Sequence, residues 1–148
     1  MVSAVGPAPN RVRIIGGSHR GRKLAFPDQA GLRPTPDRVR ETLFNWLQPV
    51  IIGARCLDLF AGSGALGLEA ASRGAARVLL LDSASAVVRQ LRDNVRLLSL
   101  DQQVEVQQAE ALRWLGGAGQ PFDIVFLDPP YASRLQGPCA KRLEAGGW

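Results

Sequence analysis

Histidine and cysteine are almost absent from this sequence. Its 148 residues include one histidine, His19, and two cysteines, Cys56 and Cys139, which lie far apart without metal-like spacing. The sequence therefore has too few histidines and cysteines for a zinc site or a histidine-based catalytic triad, and we expect no metal. Two separate cysteines also favour a reduced, cytoplasmic protein.

Long apolar runs are missing as well. No stretch approaches the roughly 18 apolar residues of a membrane span, so no membrane contact is expected. The first ten residues combine neither a charged leader nor an apolar core, which argues against a secretory signal. The hydrophobic share of 46% and the charged share of 21% are ordinary for one globular domain with a real core.

Positive charge is concentrated at the N-terminus. Residues 1–40 hold eight basic and two acidic residues, a net charge of +6, whereas residues 41–148 hold ten basic and eleven acidic residues, a net charge of −1. A basic segment on a near-neutral domain is typical of a protein that binds a polyanion, and a merely solvated arm is the alternative. Around Gly16-Gly17 and the run from Arg20 to Lys23 we predict a flexible backbone that contacts phosphate rather than packing.

The chain divides into three predicted parts. Residues 1–10 are small and contain Pro and Gly, which predicts a disordered extension. Residues 11–34 form a basic arm, whose two short apolar stretches predict a hairpin around the glycine-rich turn. Residues 35–148 form the main domain.

A helix is predicted to begin at the start of this domain. Thr35 is suited to the N-cap, Pro36 to the first helical position, and Asp37 to the helix N-terminus. Apolar residues then recur at helical spacing until the helix is expected to end near Pro49, namely Val39, Leu43, Trp46 and Leu47.

From residue 54 onward, predicted strands and helices alternate. The strands cover Arg55–Phe60, Arg77–Leu81, Val104–Gln107 and Phe122–Leu127, and the helices cover Ala65–Arg73, Ser85–Leu98, Glu110–Leu115 and Ala132–Ala145. Such alternation predicts an α/β fold, with a parallel sheet and helices on both faces.

A glycine-rich loop follows the first strand of this domain, from Asp58 to Gly67. Gly62 and Gly64 let the backbone turn tightly and approach a ligand, next to the N-terminus of the following helix. Dinucleotide sites share this pattern, but Asp58 would repel a pyrophosphate and attract a cation. Asp82 ends the next strand and could accept hydrogen bonds from ribose hydroxyls. A cationic nucleoside without a pyrophosphate is S-adenosylmethionine (SAM), which we favour over NAD.

Glu110 follows the third strand of the sheet and has two interpretations. Its carboxylate could reach the adenine edge of a bound nucleoside. Equally well, it could be an acidic residue that the helix dipole favours at a helix N-terminus.

The fourth strand ends in Asp128-Pro129-Pro130-Tyr131. Because proline has no backbone N–H, this turn presents acceptors beside an aromatic ring, which suits the amino edge and the π-face of a nucleobase. A simple strand terminator is the alternative. Since ligands bind at the carboxyl ends of parallel strands, we expect Asp58 and Asp128 on one edge of the sheet.

The loop and the turn together resemble the class I SAM-dependent methyltransferases that modify exocyclic amines of bases. Three further segments, Arg13–Gly17, Arg20–Leu24 and Arg33–Glu41, are similar to the RsmD family, which methylates a guanine amine in bacterial 16S ribosomal RNA. The resemblance runs from about Arg11 to Trp148.

Roles for individual residues follow from this resemblance. It implies a catalytic turn that holds the guanine, made of Asp128, Pro129, Pro130 and Tyr131. It implies a SAM site made of Asp58, Phe60, Gly62, Gly64, Asp82 and Glu110. The expected RNA contacts are Arg13, Arg20, Arg22, Lys23, Arg33 and Thr35. The expected partner is 16S ribosomal RNA in a small-subunit assembly intermediate, bound by a monomer.

Family members continue beyond Trp148 with three further strands. The resemblance therefore implies an incomplete domain here, whose fourth strand is an exposed apolar edge prone to aggregation unless a partner covers it. Other functions stay open: a truncated, non-catalytic RNA-binding remnant, a methyltransferase that acts on an adenine or cytosine amine in DNA and, last, an NAD-dependent oxidoreductase.

Overall fold

A computed structural model of the chain describes residues 10–28, 34–117 and 121–128. Its strands are β1 Asn10–Arg13, β2 Lys23–Phe26, β3 Arg55–Asp58, β4 Arg77–Asp82, β5 Val104–Gln108 and β6 Ile124–Phe126. Its helices are α1 Asp37–Ile51, α2 Ala65–Ser72, α3 Ser85–Leu97 and α4 Ala111–Leu115. The predicted helix Ala132–Ala145 lies outside the described residues. No helix in these ranges is long and apolar enough to cross a membrane.

Four parallel strands form the central sheet, in the order β5-β4-β3-β6. The chain steps outward from β3 to β4 and β5, and then returns to place β6 on the other side of β3. The strand order therefore reverses between β3 and β6, which is where open parallel sheets bind ligands. Within the described part of the chain β6 lies at an edge of the sheet; its tendency to aggregate stays a prediction.

Helices cover both faces of this sheet, as predicted. Alternate strand residues such as Cys56 and Leu80 face a large apolar cluster that includes side chains of α1, α2 and α3. Their neighbours Leu57 and Leu81 face a smaller cluster on α4. Because successive side chains of a strand point to opposite faces, the short apolar runs of β3 and β4 contribute side chains to both apolar clusters.

The basic arm forms the predicted hairpin and is part of the core. β1 and β2 pair antiparallel, with Val12 opposite Leu24, and both side chains are buried against the large cluster. Asn94 of α3 donates from Nδ2 to the carbonyl of Ala25 (2.8 Å), which fastens the hairpin to that helix. β1 begins at Asn10, so the predicted boundary of the N-terminal extension is one residue too late.

The turn between β1 and β2 is packed, and the prediction of a flexible backbone there is wrong. Gly17 has a φ of +81°, and a Cβ atom built on it would lie 1.9 Å from the carbonyl oxygen of Ser72. Only glycine permits both this conformation and this approach. The hydroxyl of Ser72 also donates to the carbonyl of Gly16 (2.6 Å).

Helix α1 exists as predicted, but its ends and its buried face differ. It begins at Asp37, leaves Pro36 at the N-cap without a side-chain cap, and continues two residues beyond Pro49. Val39 and Trp46, two of the apolar residues whose spacing predicted the helix, are 52% and 78% exposed. The helix is turned because its buried face includes a charged residue, Arg40, which binds partners inside the protein.

Candidate active site

Three predicted carboxylates meet at the carboxyl edge of the sheet. Asp58 is the last residue of β3 and Asp82 the last residue of β4, while Asp128 follows the end of β6 by two residues. β3 lies between β4 and β6, so the three side chains lie at or just beyond the carboxyl ends of adjacent strands, at the switch point. The expectation that Asp58 and Asp128 share one edge is confirmed.

The glycine-rich loop after β3 is fastened to β4. Ala61 donates its N–H to the carbonyl of Leu81 (2.8 Å), and Gly62 donates its N–H to Oδ2 of Asp82 (3.0 Å). Gly62 and Gly64 have φ values of +53° and +83°. The predicted tight turn is present, and its conformation requires these glycines.

Gly67, the third glycine of the motif, brings α2 against the sheet. A Cβ atom on Gly67 would lie 2.1 Å from Cδ2 of Leu80 on β4. The absence of a side chain also brings the Gly67 N–H within 3.2 Å of Oδ2 of Asp58. The N-terminus of α2 is therefore directed at the carboxylate that ends β3.

Asp58 is a buried carboxyl group, 1% exposed. The pKa of Asp58 is raised from 3.8 to about 7, chiefly by burial and also by the charges of Asp128 and Asp82, against the lowering effect of the Gly67 and Phe60 N–H groups. Its Oδ1 has no hydrogen-bond partner among the residues that the structure describes. Buried polar atoms are normally paired, so this oxygen is a candidate for contact with a ligand.

Asp82 stabilises the glycine-rich loop through hydrogen bonds. Its Oδ2 accepts the Gly62 N–H, and its Oδ1 accepts the N–H of Ala84, just before α3 (3.0 Å). Each carboxylate oxygen has a second lone pair, and the side chain is only half-buried. Asp82 can therefore support the loop and accept a hydroxyl group at the same time.

Glu110 caps helix α4. Its side chain accepts the backbone N–H groups of Leu112 (3.1 Å) and Arg113 (2.9 Å). Of the two interpretations of Glu110, the structure therefore shows the helix N-terminal one. Phe60, also predicted near the cofactor, is partly buried against the apolar cluster on α4.

Thr35, which precedes the alternating strands and helices in the chain, lies at the same edge of the sheet. Its Oγ1 donates to Oδ2 of Asp128 at 3.2 Å. The prediction that Thr35 is the N-cap of α1 is wrong, because its hydroxyl binds Asp128 and the N-cap position belongs to Pro36. The predicted site residues Arg33, Pro129, Pro130 and Tyr131 lie outside the described residues.

Glu69 on α2 is a residue that the sequence reasoning missed. It is 0% exposed and accepts hydrogen bonds from the N–H groups of Ile15 and Gly16 (2.9 Å each) and from Nε of Arg73 (2.7 Å). It therefore fixes the first residues after β1 to the helix of the cofactor loop. One acid in an otherwise apolar helix was the available signal.

Arg40 completes this buried network from α1. Its guanidinium contacts Glu69 (3.4 Å) and Asp37, and it donates to the carbonyls of Thr35 (3.0 Å) and Arg13 (2.8 Å). Arg40 thus joins the hairpin, the residue that binds Asp128, and α2. Its charge is internal and does not belong to the basic surface counted from the sequence.

The predicted RNA-binding residues are not all near the carboxylates. Arg13 is exposed and pairs with Asp37 at 3.0 Å. Arg20, Arg22 and Lys23 are exposed at the turn of the hairpin, which contacts Ser72 at the end of α2. Within the described ranges, no group of three or more His, Cys, Asp or Glu side chains could hold a metal ion.

The fold and the site together define a class of protein. A parallel sheet whose order reverses beside a glycine-rich loop, with carboxylates at the reversal, is the Rossmann-like class I methyltransferase architecture. The family model described as Conserved hypothetical protein 95 matches residues 12–148. The chain belongs to this family, and the resemblance to RsmD proteins is confirmed.

Curated relatives and a solved structure agree with this assignment. Ribosomal RNA small subunit methyltransferase D of Escherichia coli (strain K12) is 53% identical over 138 residues, which are 93% of this chain and 69% of that protein. The protein of the same name from Haemophilus influenzae is 47% identical over 144 residues, and the match covers 95% of this chain and 75% of that protein. The solved yhhF structure from E. coli superimposes with a TM-score of 0.87 at 50% identity, over 94% of this chain and 75% of that one. This chain is a methyltransferase.

Proposed function

We propose that this chain transfers a methyl group from SAM to the exocyclic amine of a guanine in small-subunit (16S) ribosomal RNA. The position of Asp128 is the main support for this proposal. Its carboxylate accepts a hydrogen bond from Thr35, and it lies at the switch point beside the glycine-rich loop that follows Asp58. The names of the relatives supply the substrate, since they are ribosomal RNA small subunit methyltransferases.

The residues around the loop fit SAM better than a dinucleotide. The Asp58 carboxylate accepts the Gly67 N–H, a donor that a pyrophosphate at the helix N-terminus would use. A buried carboxylate with one unpartnered oxygen repels phosphate and favours a cation. Gly62, Gly64 and Asp82 would hold the cofactor, and Phe60 and Glu110 would lie on its adenine side. SAM supplies an electrophilic methyl group on its sulfonium sulfur.

Asp128 would activate the amine of the base. An exocyclic amine is a poor nucleophile because its lone pair is delocalised into the ring. A carboxylate that accepts one of its N–H bonds, together with the Pro129 carbonyl, would localise the lone pair toward the methyl group. Much of the acceleration would come from alignment at about 3–3.5 Å. The methylated amine then loses a proton readily, so a strong base is not needed.

Thr35 would orient the catalytic carboxylate. Its hydrogen bond to Oδ2 of Asp128 leaves the other oxygen for the base, and Arg40 holds the Thr35 carbonyl in turn. Tyr131 would stack on the guanine, which must be unpaired or flipped out to enter. We place the reaction in the cytoplasm, on a small-subunit assembly intermediate, with the enzyme acting as a monomer.

A methylation assay tests this function. Small-subunit particles from cells that lack this activity would be incubated with tritium-labelled SAM, and the modified nucleoside identified by mass spectrometry. We expect label in a guanine N2 with wild-type protein and none with Asp128→Ala, and we expect calorimetry to show that both proteins bind SAM. Asp101→Ala is the matched control, since Asp101 is an exposed turn residue away from this edge.

Three outcomes would contradict the proposal. Equal turnover by Asp128→Ala would exclude the proposed role of that carboxylate. A folded chain that binds RNA but neither binds SAM nor incorporates label would favour a non-catalytic remnant. Label in duplex DNA and none in ribosomal RNA would favour a DNA methyltransferase.

A further inference from the structure

Arg40 on α1 is 1% exposed, and all three nitrogens of its guanidinium bind other groups of the protein. Nη1 donates to the carbonyl of Arg13 (2.8 Å) and contacts Oε1 of Glu69 (3.4 Å), while Nη2 donates to Oδ1 of Asp37. Nε donates to the carbonyl of Thr35 (3.0 Å). The guanidinium therefore joins the end of β1, the segment before α1 and helix α2 at one point.

Stability alone is a weak reason for a charged group at this position. A buried ion pair loses hydration, and its attraction outweighs that loss only when the geometry is excellent, so apolar residues of similar volume are often as stable. The surrounding core is apolar and includes Phe44, which is buried on the same helix. A guanidinium differs from an apolar side chain because its planar fork donates hydrogen bonds in fixed directions. Arg40 therefore fixes the positions of the groups that accept those bonds.

Thr35 is the acceptor whose position matters for the proposed chemistry. In the described part of the chain it makes two hydrogen bonds: its hydroxyl donates to Oδ2 of Asp128 (3.2 Å), and its carbonyl accepts from Arg40. The residue lies in neither a helix nor a strand. The place of the Thr35 backbone thus depends on Arg40, and the direction of the hydroxyl depends on that backbone.

Glu69 holds Arg40 from the side of α2. Its carboxylate is 0% exposed and also binds Nε of Arg73 (2.7 Å). Because α2 begins directly after Gly64 of the glycine-rich loop, the helix that fixes Arg40 is the helix that borders the proposed cofactor site. The contacts from Glu69 through Arg40 to Thr35 therefore set Asp128 relative to that loop.

We infer that Arg40 is a positioning residue for methyl transfer. It fixes the Thr35 backbone, so that the Thr35 hydroxyl holds one oxygen of Asp128 and leaves the other for the base. The inference rests on the proposed function, in which alignment of the reacting groups supplies much of the acceleration. Arg40 itself would touch neither SAM nor the base, because protein groups surround its guanidinium.

A double-mutant cycle with Thr35 would test this role. Arg40→Lys keeps a cation beside Glu69 but lacks the fork that also reaches the Thr35 carbonyl. We expect it to lower the single-turnover rate of methyl transfer about tenfold through misalignment, with Kd for SAM and KM for small-subunit particles near wild type. In a Thr35→Val background the same change should lower the rate less than about twofold, since both substitutions break one chain of contacts.

Arg73→Lys is the matched control. Arg73 binds the same Glu69 carboxylate, but within the described ranges it makes no hydrogen bond or ion pair with Thr35. This substitution should lower the urea midpoint and leave the rate unchanged. If Arg40→Lys does not fold, Asp37→Ala serves, because Asp37 is an exposed partner of the same guanidinium. We expect Asp37→Ala to lower the rate about two- to threefold, and not at all once Thr35 is valine.

The carboxyl carbon of Asp128 gives an NMR readout that does not depend on turnover. In protein with isotope-labelled aspartate, Asp128→Asn would assign the resonance and Thr35→Val would show how far loss of the hydrogen bond moves it. We expect Arg40→Lys to move the resonance in the same direction and Arg73→Lys to leave it in place. An unmoved resonance in Arg40→Lys would overturn the inference, as would equal rate losses from Arg40→Lys with and without the Thr35 hydroxyl.

Failure of this inference is distinguishable from failure of the proposed function. If the wild type methylates the particles and Arg40→Lys keeps its rate while Thr35→Val does not, the positioning role is excluded and the methyltransferase assignment stands. If the wild type does not methylate ribosomal RNA but Arg40→Lys and Thr35→Val still move the Asp128 resonance together, the control of Asp128 by Arg40 stands and the proposed reaction fails.

Discussion

The hydroxyl of Thr35 donates to the carboxylate of Asp128 across 93 residues of chain, with 3.2 Å between Oγ1 and Oδ2. This bond joins the segment before α1 to the switch point of the sheet. Since Arg40 binds the Thr35 carbonyl, the contact also reaches the buried ion pair with Glu69. One side of the proposed active site is therefore built by residues that precede the α/β alternation.

Removal of the Thr35 hydroxyl should slow methyl transfer without weakening SAM binding. A hydrogen bond to a charged group contributes about 1.5–3 kcal/mol, so we expect Thr35→Val to lower kcat by about ten- to a hundredfold. Thr35→Ser keeps the donor and should retain most activity. Single-turnover kinetics would measure both variants, and a valine variant as fast as the serine one would show that the bond does not orient Asp128.

Loss of the Asp82 carboxylate should weaken SAM binding. Asp82→Ala removes the acceptor for the Gly62 and Ala84 N–H groups as well as the proposed acceptor for ribose, so we expect Kd to rise tenfold or more, about 1.4 kcal/mol. Asp82→Asn keeps one acceptor oxygen and should fall between alanine and wild type. Isothermal titration calorimetry would measure Kd for SAM. Equal Kd values for wild type and Asp82→Ala would exclude a contact between Asp82 and the ribose.

Affinity for SAM should depend on the ionisation of Asp58. Its pKa in the folded protein is about 7, raised chiefly by burial, and a cationic ligand favours the ionised form. If only that form binds, Kd should fall about tenfold from pH 6 to pH 8, because the competent fraction rises by that factor. Isothermal titration at several pH values would measure the slope. Asp58→Asn should bind weakly with a flat pH profile, and an unchanged slope in that variant would exclude Asp58 as the titrating group.

The same carboxyl group predicts a pH dependence of stability in the opposite direction. Between its ordinary pKa of 3.8 and the folded value of about 7, the unfolded chain releases the Asp58 proton while the folded chain keeps it. Its contribution to the free energy of unfolding is therefore full below pH 4 and is lost as the pH rises through 7. Urea unfolding between pH 5 and 8 should show Asp58→Asn gaining stability relative to wild type. A constant difference across that range would contradict the raised pKa.

Two glycines of the hairpin turn offer a matched test of packing. Gly17 and Gly21 have similar φ values, +81° and +85°, but a Cβ at Gly17 would meet the Ser72 carbonyl oxygen at 1.9 Å, while a Cβ at Gly21 would meet nothing within 4 Å. Alanine should cost about 1–2 kcal/mol of backbone strain at either position. At Gly17 a further 1–3 kcal/mol of steric strain is expected. Urea midpoints would compare the two variants, and equal losses would mean that the turn does not pack on α2.

Much of the α/β architecture could be predicted from local sequence. The short apolar runs within Arg55–Phe60 and before Asp82 predicted strands, and the glycine spacing after β3 predicted the loop that the structure contains. In the helix predicted over Ser85–Leu98, the apolar residues Val87, Leu91, Val95 and Leu98 recur at helical spacing, and all four are buried. These signals succeed because strand and helix periodicity and glycine backbone freedom depend on residues that are near one another in the chain.

Errors arose where a distant partner decided the outcome. Thr35 has the chemistry of an N-cap, yet its hydroxyl binds Asp128. Arg40 was counted with the basic charge of the N-terminal segment. In the structure it contacts the buried Glu69 and therefore belongs to the buried face of α1. Glu110 was not an error, since a helix N-terminal role was one of its two interpretations, but its two bonds to the start of α4 were visible only in three dimensions.

The sequence by itself determined the element types, the glycine loop, the acceptor turn that begins at Asp128 and the family, because each is a short pattern of neighbouring residues. Only the tertiary structure decided that Asp58, Asp82 and Asp128 lie at the carboxyl ends of adjacent strands and that Thr35 binds Asp128. It also placed the basic turn at the far end of α3, where Arg22 meets Leu97 across 75 residues. The physical reason is the strand order and the buried Arg40–Glu69 contact, which bring together groups that no local pattern relates.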